Sequence, residues 1–369
     1  MVRDGLDRLR SRAASRLAAR RGSAPAAPTL PLLPGEALLA LRDDPLGFLC
    51  GAVRARGDLV ALGWGRPPLL LLVHPEHAHH VLVTRAKHYD KNTRGYRTLR
   101  IFLGQGLLTS EGEAWRQSRR IAQPAFHRDR IARFAETMVE LTADTLDTWR
   151  PDATVDMHEE MTRLTLRIVT QTLLGSSLGD HDDVGPALAR LNAFARHMIS
   201  HPWTLPPSAP TPRNFRYRRA ARVLDMLVEG LIAQRRRDPG DHADLLAMLM
   251  DASDEDTGAR LSDRQLRDEA MTIFVAGHET TAAALAWTLA LLSLHPEVDR
   301  RLGRELQTLG GRPPTFADLP ALPYTAAVVK ESLRLYPPAW AISRRARGRA
   351  SPIFRSAAGS ACASGKRSR

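Results

Sequence analysis

Cysteine is nearly missing. Cys50 and Cys362 are the only two in 369 residues. Two cysteines build no disulfide framework, so a reducing compartment is expected. Lysine is scarce too: of 53 basic residues only Lys87, Lys91, Lys330 and Lys366 are lysine. The arginine bias runs through the whole chain and so marks no single anion site. Long apolar runs are absent. The best candidate, Ala282 to Leu294, is too short to span a bilayer, and its upstream extension meets His278 and Glu279. Residues 1–22 are rich in arginine and lack the continuous apolar stretch of a secretory signal. A cytoplasmic protein with no transmembrane anchor is expected.

What is present is an ordinary globular balance, 43% hydrophobic and 25% charged, with a net charge of +13. The charge sits at the ends. Residues 1–22 carry +5, residues 344–369 carry +8, and the body between them is neutral. Neither basic end has interleaved aromatics, which argues against a nucleic-acid partner.

Residues 1–35 read as a flexible basic leader, with four prolines between Ser23 and Gly35. Leu59 to Val73 predicts two short strands around the turn Gly63 to Pro68. Helical apolar spacing then dominates: 75–86, 111–122, 129–150, 158–174, 184–200, 213–237, 241–251, 262–294, 296–308 and 322–335. After Arg345 the period stops. Residues 346–369 are small, basic and unpatterned, as expected of a disordered, aberrant tail.

Three segments carry chemistry. Ala276-Gly277-His278-Glu279-Thr280-Thr281 lies inside the apolar stretch 262–294. A mid-helix glycine costs about 1 kcal/mol relative to alanine. Beside an acid and two hydroxyls it predicts a locally distorted helix with room for a small ligand. Glu331 and Arg334 are i,i+3 neighbours and predict a pair on one helix face, ended by Pro337-Pro338. Ser110 and Glu113 fit a capping box. Trp115 and Arg119 then lie one turn apart, an indole donor beside a guanidinium, suited to an anion such as a carboxylate.

Together and in this order, the three segments make the sequence resemble a cytochrome P450, from about Asp44 to Arg345. The resemblance implies a mainly α fold, a triangular helical prism with a small β region, over residues 36–345. It implies haem as cofactor. Trp115 and Arg119 would hold one propionate and Arg344 a second; Ala276 and Gly277 would line the haem, Gly277 leaving room for dioxygen. Glu279 and Thr280 would be catalytic and manage proton delivery. Glu331 and Arg334 would form the family's structural pair. The implied reaction is monooxygenation of an apolar small molecule, walled by residues 89–107, 201–215 and the face around Phe274 and Ala276. Electrons would come from a separate ferredoxin or reductase.

The family's cysteine loop, several tens of residues beyond the Glu-x-x-Arg helix, is not found. Cys362 lies 28 residues after Arg334, and the phenylalanine and glycines around it are out of register with that loop. No metal-ligating residue is therefore assigned, and the C-terminal part is expected to be missing by truncation or frameshift. Two other readings follow: an inactive fragment lacking the ligating cysteine, and a helical binding module without redox chemistry. His74, His77, His79 and His80 are expected on a solvated helix, Asp251 to Asp256 in an acidic loop, and Arg216 to Arg222 on a solvent face open to a redox partner.

Overall fold

The computed structural model describes residues 40, 43–62, 69–175, 183–201, 204–237, 244–254 and 256–338. They fall into two compact units, divided between Tyr89 and Asp90.

In the first unit, helix α1 (Pro45–Arg56) begins where the Asp44 carboxylate accepts from the Gly47 N–H at 2.9 Å, with proline at the first position. Strands β1 (Leu59–Ala61) and β2 (Leu70–Leu72) pair antiparallel in the register Leu59↔Leu72, Val60↔Leu71, Ala61↔Leu70. Val60 and Leu62 pack on Ala52 of α1. The expected hairpin is present; its turn lies outside the described residues. Helix α2 (Pro75–His79) runs on into a π-helical turn to Thr84. His74 caps α2, its Nδ1 accepting from the Glu76 N–H at 3.3 Å. Among the described residues no three His, Cys, Asp or Glu side chains could hold a metal ion.

The second unit is helical. Its long elements are α3 (Arg94–Leu103), α4 (Gly112–Ala122), α5 (Arg128–Asp147), α6 (Met157–Leu174), α7 (Val184–Ser200), α8 (Pro212–Arg237), α9 (Leu245–Asp251), α10 (Asp263–Leu294), α11 (Pro296–Leu306) and α12 (Pro323–Leu335). The predicted helices all appear, with ends shifted by a few residues. Helix α3 was not predicted: its sequence, RGYRTLRIFL, carries three arginines in ten residues, and its apolar face is short.

Helix α10 is the axis. Its 32 residues extend about 48 Å at 1.5 Å per residue. It starts in a full capping box between Ser262 and Gln265. Leu266, Ala270, Met271 and Phe274 enter the main core with Leu166, Val169 and Leu173 of α6, Leu191 and Phe194 of α7, and Leu224 and Val228 of α8. Further along, Ala282 meets Met161 and Leu164 of α6 in a second cluster. Helix α6 is well bounded: Asp156 caps its start, and Gly175 at φ 64° ends it in the left-handed conformation that favours glycine.

The loop expected around Asp251 to Asp256 follows α9, and Asp254 lies in it. It is buried and structural: its carboxylate accepts from Arg120 Nε at 2.7 Å and from the Asp256 and Thr257 N–H groups. The Arg120 hydrogen bond holds this carboxyl below the usual carboxylate range.

Candidate active site

The string Ala276 to Thr281 lies in the middle of α10, which runs through it unbroken. The expected distortion of the helix is therefore not found. The Thr280 hydroxyl donates to the Ala276 carbonyl at 2.6 Å, one turn back, and the helical ladder absorbs this bond. Ala276, Thr280 and Thr281 are exposed, so this strip of α10 is an open face of small side chains. Glu279 is half-buried and accepts no hydrogen bond among the described residues.

The opposite face is braced. His278 is buried, with Nδ1 3.3 Å from the Phe274 carbonyl, and burial pulls its imidazole below the usual histidine range. Its own carbonyl accepts from Thr165 Oγ1 of α6 at 3.0 Å. Gly277 faces the same way. A Cβ built there would stand 3.2 Å from Val169 Cγ2 of α6. The glycine thus lets α6 and α10 pack closely. Phe274, expected on the substrate wall, is only 1% exposed and sits in the main core.

On α4, Arg119 lies over the Trp115 ring at 5.5 Å, as the i,i+4 spacing predicts. No group among the described residues accepts from the indole N–H or pairs Arg119 with a carboxylate. The capping box expected at Ser110 and Glu113 is not formed: Glu111 is the cap residue, with no side-chain cap bond. The Glu111 carboxylate instead accepts from the Lys91 N–H and lies 3.4 Å from Arg100.

Lys91 was missed by sequence reasoning. Its ammonium donates to the carbonyls of Leu107, Leu108 and Ser110 at 3.0–3.4 Å and stands 5.9 Å from the Trp115 ring. Burial lowers its pKa. It ties the 107–110 turn to the Trp115 end of α4. Asp268 and Glu269 were missed as well. They take the Gln105 N–H at 2.7 Å and the Leu107 N–H at 2.9 Å, pinning this loop to α10. The signal was two acids inside an apolar helical stretch. Gly104 (φ 67°) and Gly106 allow the approach: a Cβ on Gly106 would lie 2.6 Å from the Asp268 carbonyl. Burial pushes the Glu269 carboxyl up.

Glu331 and Arg334 form the predicted pair on α12, through Nε at 2.7 Å and Nη2 at 2.6 Å. The Glu331 side chain is 5% exposed and Arg334 42%, so the pair faces inward on its acidic side. Neighbouring Ser332 accepts from Thr288 of α10 at 2.8 Å, tying the two helices together. Arg344 and Cys362 lie outside the described residues.

One solvent-open cavity of about 700 Å³ lies between α3, α8 and the start of α10. Arg100, Asp225, Arg267 and Asp268 give it a charged lining, and it does not include Ala276 to Thr280.

The family model for Cytochrome P450 matches residues 25–348. The chain belongs to the cytochrome P450 family. It is 38% identical to cyclooctat-9-en-7-ol 5-monooxygenase of Streptomyces melanosporofaciens, over 88% of this chain and 70% of that one. It is 37% identical to pentalenene oxygenase of Streptomyces avermitilis, over 88% and 71%. A solved heme domain, cytochrome P450DA, matches with a TM-score of 0.75 and 28% identity, covering 84% of this chain and 70% of that one. The P450 fold and the oxidoreductase, monooxygenase class are those of the family, and the family implies haem iron, dioxygen and a redox partner.

The donor set of this P450 fits the carboxylate edge of a haem. An indole N–H and a guanidinium, stacked on each other and lacking a protein acid, are what a propionate requires. The strip of α10 at Ala276 and Thr280 has no bulky side chain to oppose a flat group. The only cysteine among the described residues, Cys50, lies in the first unit.

Proposed function

We propose that this P450 oxidises an apolar, terpene-type carbocycle, inserting one oxygen atom from dioxygen. The observation that carries this reading is the strip Ala276–Thr280: a half-buried carboxylate and a hydroxyl on an otherwise small-residue helix face. Two relatives are named for oxygenation of a cyclic alkenol and of pentalenene. Reaching 38% and 37% identity, they favour this chemistry over an inactive or purely binding role.

Trp115 and Arg119, with Arg344, would hold the haem propionates. When bound, the haem iron supplies the activation of dioxygen. Glu279 carries a proton in from solvent through water. Thr280 Oγ1, whose hydrogen is directed to Ala276, would accept from a water and hold that water in place beside Glu279. The small face at Ala276 lets an apolar substrate approach, and residues 99–107, clamped by Asp268 and Glu269, wall one side. A separate ferredoxin or reductase delivers electrons, and the enzyme works in the cytoplasm.

The test is a reduced sample with carbon monoxide, using the chain reconstituted with haem. A red-shifted Soret band of thiolate ligation supports the reading. Absence of any haem absorption overturns it for this chain.

A further inference from the structure

The charges lining the open cavity between α3, α8 and the start of α10 do not all cancel. The lining holds three arginines against four carboxylates, and most are spent on neighbours. Arg267 donates to Asp225 at 3.0 Å and to Asp268 at 2.8 Å. Arg236 takes Asp263 at 2.9 Å, and Arg100 lies 3.4 Å from Glu111. Two charges are left over, Glu229 on α8 and Arg264 on α10. Both are exposed, and neither has a charged partner among the described residues.

Neither charge helps the fold. Arg264 is the second residue of α10, in the first turn, where the helix dipole favours acids and disfavours a cation. Glu229 lies one turn beyond Asp225, so two carboxylates repel on one face of α8. The two leftover charges belong to different walls of the cavity. Helices α8 and α10 pack side by side, through Leu224 and Val228 on one and Leu266 and Ala270 on the other, and the axes of packed helices lie about 8–10 Å apart. Ile101, 42% exposed, and Ala233 supply apolar surface to the same cavity.

From this arrangement we infer that the cavity binds a zwitterion whose ammonium and carboxylate are held apart by an aliphatic spacer. The carboxylate meets Arg264 at the positive end of α10, the ammonium meets Glu229, and the spacer lies along Ile101 and Ala233. The near balance of lining charge selects against a polyanion or a polycation. The separation of two packed helices selects against a simple α-amino acid, whose two charged groups share one carbon. The site lies apart from Ala276 to Thr280, and its occupation does not depend on the monooxygenase reading. Its floor is also the anchor of the neighbouring loop. Arg267 donates to the Phe102 carbonyl at 3.0 Å, and Asp268 accepts from the Gln105 N–H at 2.7 Å. A bound ligand therefore steadies residues 102–105.

The probe is 6-aminohexanoate, titrated calorimetrically into the full chain at low ionic strength, with hexanoate and hexylamine as single-charge controls. Each control should bind about fivefold more weakly than the zwitterion, the upper range for one exposed ion pair. Glu229→Gln should weaken the zwitterion about fivefold without weakening hexanoate, and Arg264→Gln should do the same without weakening hexylamine. Arg264→Lys should keep most of the affinity. Melting temperatures of the variants should not fall, because both side chains are exposed, and this separates lost binding from lost folding. Hydrogen exchange read by mass spectrometry should slow in 102–105 and 225–233 when 6-aminohexanoate is present. Equal affinity for the zwitterion and either control overturns the inference. So does affinity unchanged in both glutamine variants, and so does a failure of 6-aminohexanoate to slow exchange in either segment.

Discussion

Gly277 and Val169 are in packing contact across the α10–α6 interface: a Cβ on Gly277 would stand 3.2 Å from Val169 Cγ2. Helix propensity alone says that Gly277→Ala should gain about 1 kcal/mol. Overpacking a buried contact costs about 1–3 kcal/mol. Val169 is held in the main core and has little room to yield, so the net expectation is a loss of about 1 kcal/mol. Urea denaturation measures it. The double variant with Val169→Ala should lose less than the two single losses together. A stabilised Gly277→Ala would mean that the interface tolerates the methyl.

Arg334→Ala should destabilise the protein by about 2 kcal/mol. Breaking a fully buried pair costs 3–5 kcal/mol, but Arg334 is partly solvated, which lowers the figure. Glu331→Gln should cost less, because the arginine left behind can reach water. Arg334→Lys should recover only part of the loss, since an ammonium cannot make the two-point contact seen here. Denaturation midpoints of the three variants should follow that order.

Glu269 gives a pH dependence of defined sign. Its folded pKa is raised by burial. Between the ordinary carboxylate value and that raised value, the folded state binds more protons than the unfolded state. The stability it contributes is complete below the unfolded pKa and is lost as pH rises through the folded one. Glu269→Gln removes this titration. Wild-type stability should therefore fall relative to the variant as pH rises from about 4.5, as read from denaturation midpoints across pH. A constant difference would count against it.

Glu279→Gln and Thr280→Val should each lower product formation by about a hundredfold, the usual scale of a general-acid contribution. Both side chains lie at the solvent-accessible side of α10, so melting temperatures should barely move. Oxygen consumption should fall less than product formation, because proton delivery is what the pair supplies. Equal turnover in the variants would remove both residues from the mechanism.

Much of the helical architecture was legible in the sequence, because apolar spacing reports directly on which face of a helix is buried. Local pairs were legible too. Glu331 with Arg334 and Trp115 with Arg119 are three and four residues apart, and helix geometry alone brings them together. Helix α3 was not legible, since its charge hides a short apolar face. Nor were the Asp268 and Glu269 contacts to the 105–107 loop, where the partners lie more than 160 residues apart in sequence.

By itself the sequence determined the helical period, the order of the three motifs and hence the family, because these depend on neighbours within a turn or two. Only the tertiary structure decided what individual residues do. Gly277, expected to leave room for dioxygen, also packs closely against Val169. Lys91 and Glu111 organise the turn before α4, although neither stood out in the sequence. Asp254, read as part of an acidic loop, is buried against Arg120. In each case the deciding term is burial or a long-range partner, and neither is a property of the local sequence.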